Sequence, residues 1–119
     1  MMMSQGLSLK RRAATTLGMI FGAAMPLLLV FDAAAEDLFV IQKGRIYLPD
    51  SLNAHVGDRV VFSNEDDVTH NVYSESPAAT FDLGAQSPGQ KMEIILNHPG
   101  TVDIECEIHP KMHMVINVK

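Results

Sequence analysis

From Leu38 to Lys119 no window of the chain carries a helical stripe, and short runs rich in β-branched side chains follow one another between turn signals. Residues 38–42 read as a strand ended by Lys43-Gly44, and 45–48 as a second extended piece closed by Pro49-Asp50. Residues 52–56 lead into Gly57-Asp58, 59–63 into a polar turn at 64–67, and 69–73 is extended again. Residues 74–90 shift to Ser, Pro, Ala and Gly, which predicts a long loop or irregular crossover. In 91–96 the apolar Met92, Ile94 and Leu96 alternate with Glu93, the period-two pattern of a half-buried strand. A turn at Asn97-His98-Pro99-Gly100 precedes two last strands, 101–106 and 114–119. Seven to eight short strands at this spacing predict an all-β sandwich or barrel.

The first 35 residues stand outside that pattern. Lys10, Arg11 and Arg12 precede an apolar run over 13–31, and Asp32 and Ala33-Ala34-Ala35 follow. Positive, apolar and small in that order is a secretory signal, here cut after Ala35. The run just reaches the length of an uncleaved membrane anchor, but Ala, Gly and Thr dilute it, so cleavage and release into the periplasm are expected. Cleavage leaves one domain, 36–119, with 6 Lys/Arg against 13 carboxylates, a formal charge of −7. Such a surface excludes nucleic acid, whose phosphates need cationic contacts. It suits solubility and a basic protein partner, and a monomer is expected.

A domain of this size in an oxidising compartment is commonly stapled by disulfides, yet Cys106 is the only cysteine. A lone exported thiol oxidises unless it is buried or occupied. Around it the chain reads Cys106-Glu107-Ile108-His109-Pro110-Lys111-Met112-His113-Met114, and Thr69-His70-Asn71-Val72 supplies a second imidazole on another strand. Thiolate and thioether select Cu(I), and imidazole accepts either copper state. Two histidines and a cysteine with a weak axial methionine form the blue-copper electron-transfer geometry. Cys-x₂-His lets one turn present both ligands to one ion.

Gly57-Asp58 before Val60-Val61-Phe62, then Asn64, then His70-Asn71-Val72, together with Cys106-x₂-His109-Pro110-x-Met112, resembles the plastocyanin/amicyanin group of cupredoxins, most closely its amicyanin-like members. The resemblance covers the whole of 36–119. It implies a small Greek-key β-sandwich holding one copper ion, with His70 and His109 as imidazole ligands and Cys106 as thiolate. It further implies that the Asn71 backbone N–H donates to the cysteine sulfur, and that His109 with Pro110 forms the electron port, flanked by Ile108. The axial methionine is Met112 by the shorter loop spacing or Met114 by the longer one. Seven residues follow Met112, about what a terminal strand needs, and Met114 then becomes that strand's first core side chain, so Met112 is favoured. The implied function is one-electron transfer with a redox partner such as a periplasmic dehydrogenase or a c-type cytochrome. Two features depart from the group: Glu105 and Glu107 flank the cysteine, and the stretch between Tyr73 and Lys91 is short.

The remaining candidates read more plainly. His55 and His98 sit in or beside turns and are expected at the surface. His113 is expected there too, with a transient copper contact as the alternative. Met92 reads as core, and Glu65-Asp66-Asp67 as a solvated turn. A copper-binding or delivery role without electron transfer is the competing function, motivated by the Met- and His-dense tail. A copper enzyme would need a further catalytic site, and only the scattered His55, His98 and His113 remain to build one, so the chain is not expected to be an enzyme.

Overall fold

A computed structural model describes residues 13–119. One unit ends at Phe31 and the second comprises Asp32–Lys119. Residues 13–36 form neither helix nor strand, and the basic cluster at 10–12 lies outside the described residues. No helix among the described residues is long and apolar enough to cross a membrane.

The second unit is an all-β sandwich of nine strands: β1 (Asp37–Lys43), β2 (Ile46–Leu48), β3 (Ser51–Ala54), β4 (Arg59–Asn64), β5 (His70–Ser76), β6 (Ala79–Gln86), β7 (Lys91–Ile95), β8 (Gly100–Glu105) and β9 (His113–Val118). One sheet has the order β2-β1-β4-β7 and the other β3-β9-β8-β5-β6. The chain passes between the sheets after β2, β3, β4, β6, β7 and within the order prescribed by two parallel pairs, β1 with β4 and β3 with β9. Alternation along each strand turns one set of side chains inward. Val40, Tyr47, Val60 and Phe62 from the first sheet meet Val72, Val102, Ile104, Met114, Ile116 and Val118 from the second. Removing that apolar surface from water is the main stabilising term in a fold without a disulfide.

The expected strands lie where the sequence places them, with two differences. Arg45 belongs to a turn: Lys43 pairs with Ile46, so Gly44 and Arg45 are the two-residue loop of a hairpin, with φ of 64° and 58°. Both loop positions of a type I′ turn need positive φ, which its twist matches to the flanking strands. The second difference is larger. Residues 74–90 are no loop: β5 continues to Ser76, turns at Pro77-Ala78, and returns as the eight-residue β6. Half-buried Ala79, Phe81 and Leu83 alternate with exposed Thr80 and Asp82. The small residues that mask this pattern suit an edge strand with one neighbour, and a register shift between Asn71 and Tyr73 breaks the pairing. Met92, expected in the core, is half-buried on the inward side of β7.

At one end of the sandwich Asp58 closes the fold. Its buried carboxylate accepts the Glu36 N–H at 2.9 Å and the His55 N–H at 2.8 Å. These bonds hold its pKa below the ordinary 3.8, the Glu36 bond contributing most. A depressed folded-state pKa means stability that is present above 3.8 and lost as pH falls through the lower folded value. Asp58→Ala should therefore cost on the order of 2 kcal/mol in urea unfolding at pH 7. That deficit should shrink as both proteins are titrated below pH 4, and a difference independent of pH would contradict the assignment.

Candidate metal centre

At the opposite end of β5 and β8 three donor atoms converge. His70 opens β5, Cys106 follows β8 directly, and His109 sits in the loop before β9. One ligand atom from each lies within 4.8 Å of the other two. The two Nδ1 atoms are 3.1 Å apart, and Cys106 Sγ is 3.8 Å from His109 Nδ1. The imidazoles meet edge to face, with centroids 4.9 Å apart and planes at 64°. His70 and Cys106 are buried, whereas His109 is half-buried. Burial lowers the His109 pKa, and the neighbouring His70 and Arg45 lower it further, which favours the neutral ring that metals bind.

The surroundings hold these donors in place. The Asn71 N–H donates to Cys106 Sγ at 3.3 Å, the contact expected of this residue. Its side chain does more than the sequence indicates. Asn71 Nδ2 donates to Asp82 Oδ1 and to the Gly84 carbonyl, and Oδ1 accepts the Glu107 N–H at 3.2 Å. One amide thus joins β5, β6 and the loop that carries His109. Tyr47 is a second residue the sequence reading missed. Its buried hydroxyl donates to the Asn71 carbonyl at 2.6 Å and lies 3.1 Å from the Glu105 carbonyl. It reaches from β2 in one sheet to the strands bearing His70 and Cys106 in the other. Burial pushes its pKa far upward, so it remains a neutral donor.

Both methionines in question are fully buried. Met112 ends the loop, folded back by its N–H on the His109 carbonyl at 2.9 Å. Met114 is inside β9, opposite Ile104. The other histidines are apart from the cluster. His55 and His98 are exposed, and His113 Nε2 lies 3.1 Å from Asp103 on the surface. Glu105, beside the cysteine, faces outward and accepts the Tyr73 hydroxyl at 2.8 Å. The expected solvated turn at 65–67 needs correction at its centre: Asp66 folds inward to His70, 2.9 Å from Nε2. His109 opens on a groove of ≈ 470 Å³ lined by Arg45, Ile46, Ile108, Pro110 and Lys111.

A thiol and two imidazoles converging at one end of a β-sandwich form a donor set that suits copper. The comparisons agree with it. The profile of the copper binding proteins, plastocyanin/azurin family, matches residues 36–119. Methylamine utilization protein MauL of Methylorubrum extorquens is 34% identical over 87 residues, spanning 71% of this chain and 76% of that protein. The chain belongs to the plastocyanin/azurin family of copper binding proteins. Its fold is shared with an amicyanin variant in the Cu(I) form, at TM-score 0.66 and 24% identity over 74% of this chain and 87% of that one. A purple cupredoxin from Nitrosopumilus maritimus aligns at TM-score 0.63 and 23% identity, over 70% of this chain and all of that one. A copper-containing nitrite reductase from Thermus scotoductus aligns at TM-score 0.66 and 26% identity, over 70% of this chain but only 22% of the enzyme. Copper is the family's cofactor, and the donor set of His70, Cys106 and His109 fits one ion.

Tyr47→Phe removes the hydroxyl that donates to the buried Asn71 carbonyl, next to these residues. It should cost about 1–3 kcal/mol in denaturant unfolding of the metal-free protein. A Phe variant as stable as the parent would show that the hydroxyl is not the tie described.

Proposed function

We propose that the chain is a one-electron carrier with a type 1 copper centre, in which His70, Cys106 and His109 are the equatorial ligands and Met112 the axial one. The observation that carries this reading is the convergence of the two Nδ1 atoms and the cysteine sulfur, with the Asn71 N–H directed at that sulfur. Bound copper supplies exchange of one electron between Cu(I) and Cu(II). The protein's part is to hold the donors still. Cys106 and His70 are set by strands, Asn71 anchors the loop to the sheet, and burial keeps water from the sulfur. The loop position of Met112 supports it as the axial donor, while the pairing of Met114 with Ile104 supports a core role.

Half-buried His109 is the electron port, with Pro110 and Ile108 as the apolar surface beside it. The partner is a redox protein such as a c-type cytochrome or a dehydrogenase. The likeness to a methylamine utilization protein makes an amine-oxidising dehydrogenase the first to try. Residues 1–35 are a signal peptide cut after Ala35, and the carrier works in the periplasm as a monomer. A carrier rather than an enzyme is the reading that the partial likeness to a nitrite reductase supports, since it covers only 22% of that chain.

Copper-loaded protein should show an intense visible thiolate-to-copper band and cycle reversibly. Colourless Cu(II) protein refutes the proposal. Fast electron self-exchange with no metal transfer to a Cu(I) acceptor separates a carrier from a delivery protein. Cys106→Ser should abolish the band. Met112→Leu should leave copper bound and raise the potential, because an axial donor stabilises the more highly charged ion. The same change at Met114 should affect stability alone; the reverse pattern would assign Met114 as the ligand.

A further inference from the structure

His70 is fully buried, and its two ring nitrogens face different groups. Nδ1 faces His109 and Cys106, and Nε2 lies 2.9 Å from Asp66 Oδ2. An ionised carboxylate only accepts hydrogen bonds, so Nε2 carries the proton and Nδ1 presents its lone pair to the donor cluster. The same Oδ2 also accepts the Arg45 N–H at 2.9 Å. Arg45 holds a left-handed conformation that is unfavourable for a non-glycine residue. An acceptor for its N–H offsets that cost. Gly44 and Arg45 belong to the turn whose next residue, Ile46, lines the groove at His109.

The placement of Asp66 is itself secured. Its own N–H donates to Asn64 Oδ1 at 3.0 Å. Asn64 is buried, and its Nδ2 donates to the Val68 and Gln86 carbonyls. The 64–68 turn is thus wound on Asn64 with the Asp66 carboxylate pointing inward, and only 13% of that side chain is exposed. Glu65 and Asp67 make no such contact with His70.

We propose that Asp66 is a positioning residue of the copper site, fixing His70 as the Nε2–H tautomer and tying that ligand to the Gly44-Arg45 turn at the edge of the electron port. The role of Asp66 toward copper rests on the carrier reading above, whereas its hold on the His70 tautomer does not. A carboxylate behind a ligating histidine orients the ring and raises its basicity. Its negative charge also favours Cu(II) over Cu(I).

Asp66→Asn and Asp66→Ala separate the two effects. Asn keeps an acceptor for Nε2–H and loses the charge, and Ala loses both. In metal-free protein, long-range ¹H–¹⁵N spectra of the His70 ring should give the Nε2–H tautomer for the parent and the Asn variant, and a mixture for Ala. With copper added, affinity should fall about 10–100-fold for Ala and only a few-fold for Asn. The reduction potential should rise in both. An Ala variant with parental tautomer, affinity and potential overturns the proposal. If the Ala variant fails to fold, Asp66→Ser, too short to reach Nε2, takes its place, and parental tautomer, affinity and potential there overturn the proposal. If the parent binds no copper, the carrier reading fails, and the tautomer spectra still decide whether Asp66 fixes His70.

Discussion

The copper end of this sandwich depends on the backbone of Asn71. Its N–H points at the cysteine sulfur, its carbonyl accepts the Tyr47 hydroxyl, and its side chain fastens β6 and the start of the ligand loop. Each of these bonds satisfies a buried or half-buried polar group that would otherwise cost free energy. Together they fix the distance between the strand that carries His70 and the loop that carries His109. A lone thiol could not be placed so reproducibly by apolar packing alone, because packing is not directional.

The absence of a disulfide gives this network added weight. In 84 residues the core is small, and nothing covalent ties the two sheets together. Tyr47 and the Gln42–Gln86 pair do so by hydrogen bonds: Gln42 Nε2 in β1 donates to Gln86 Oε1 in β6 at 2.7 Å. Gln86 in turn donates to the Phe62 and Gln90 carbonyls. Buried polar ties of this kind specify one register between the sheets. A bound ion adds to that, because anything that binds only the folded state stabilises it.

The donor residues were legible in the sequence because their chemistry is local. Cys106 and His109 lie on one turn, and the chain has no other cysteine to pair with Cys106. The strands were legible where β-branched residues crowd, as in 59–63. Residues 79–86 were not, because Ala, Gly and Ser read as loop unless the neighbouring strand is known. Tyr47 and Asp66 were also hidden. Their partners are 24 to 58 and 4 to 21 residues away, and no spacing rule connects a tyrosine in one sheet to carbonyls in the other. Asp66 was obscured further by Glu65 and Asp67, which make the triplet look like an ordinary acidic turn.

The proposed electron transfer needs a site that changes little between redox states, and the loop at 107–112 is restrained at both ends. Its first N–H is held by Asn71, and its last, that of Met112, by the His109 carbonyl. Both restraints are made by protein groups, so the shape of the loop does not wait on the metal. The same brevity bears on the axial ligand. With Met114 committed to the β8–β9 ladder opposite Ile104, a ligand role there would draw a paired strand residue towards the site. Met112 lies before the ladder begins and is already buried, so it can serve without disturbing a strand. A short loop thus leaves the sandwich intact while closing the site, so strand register and ligand position depend on each other.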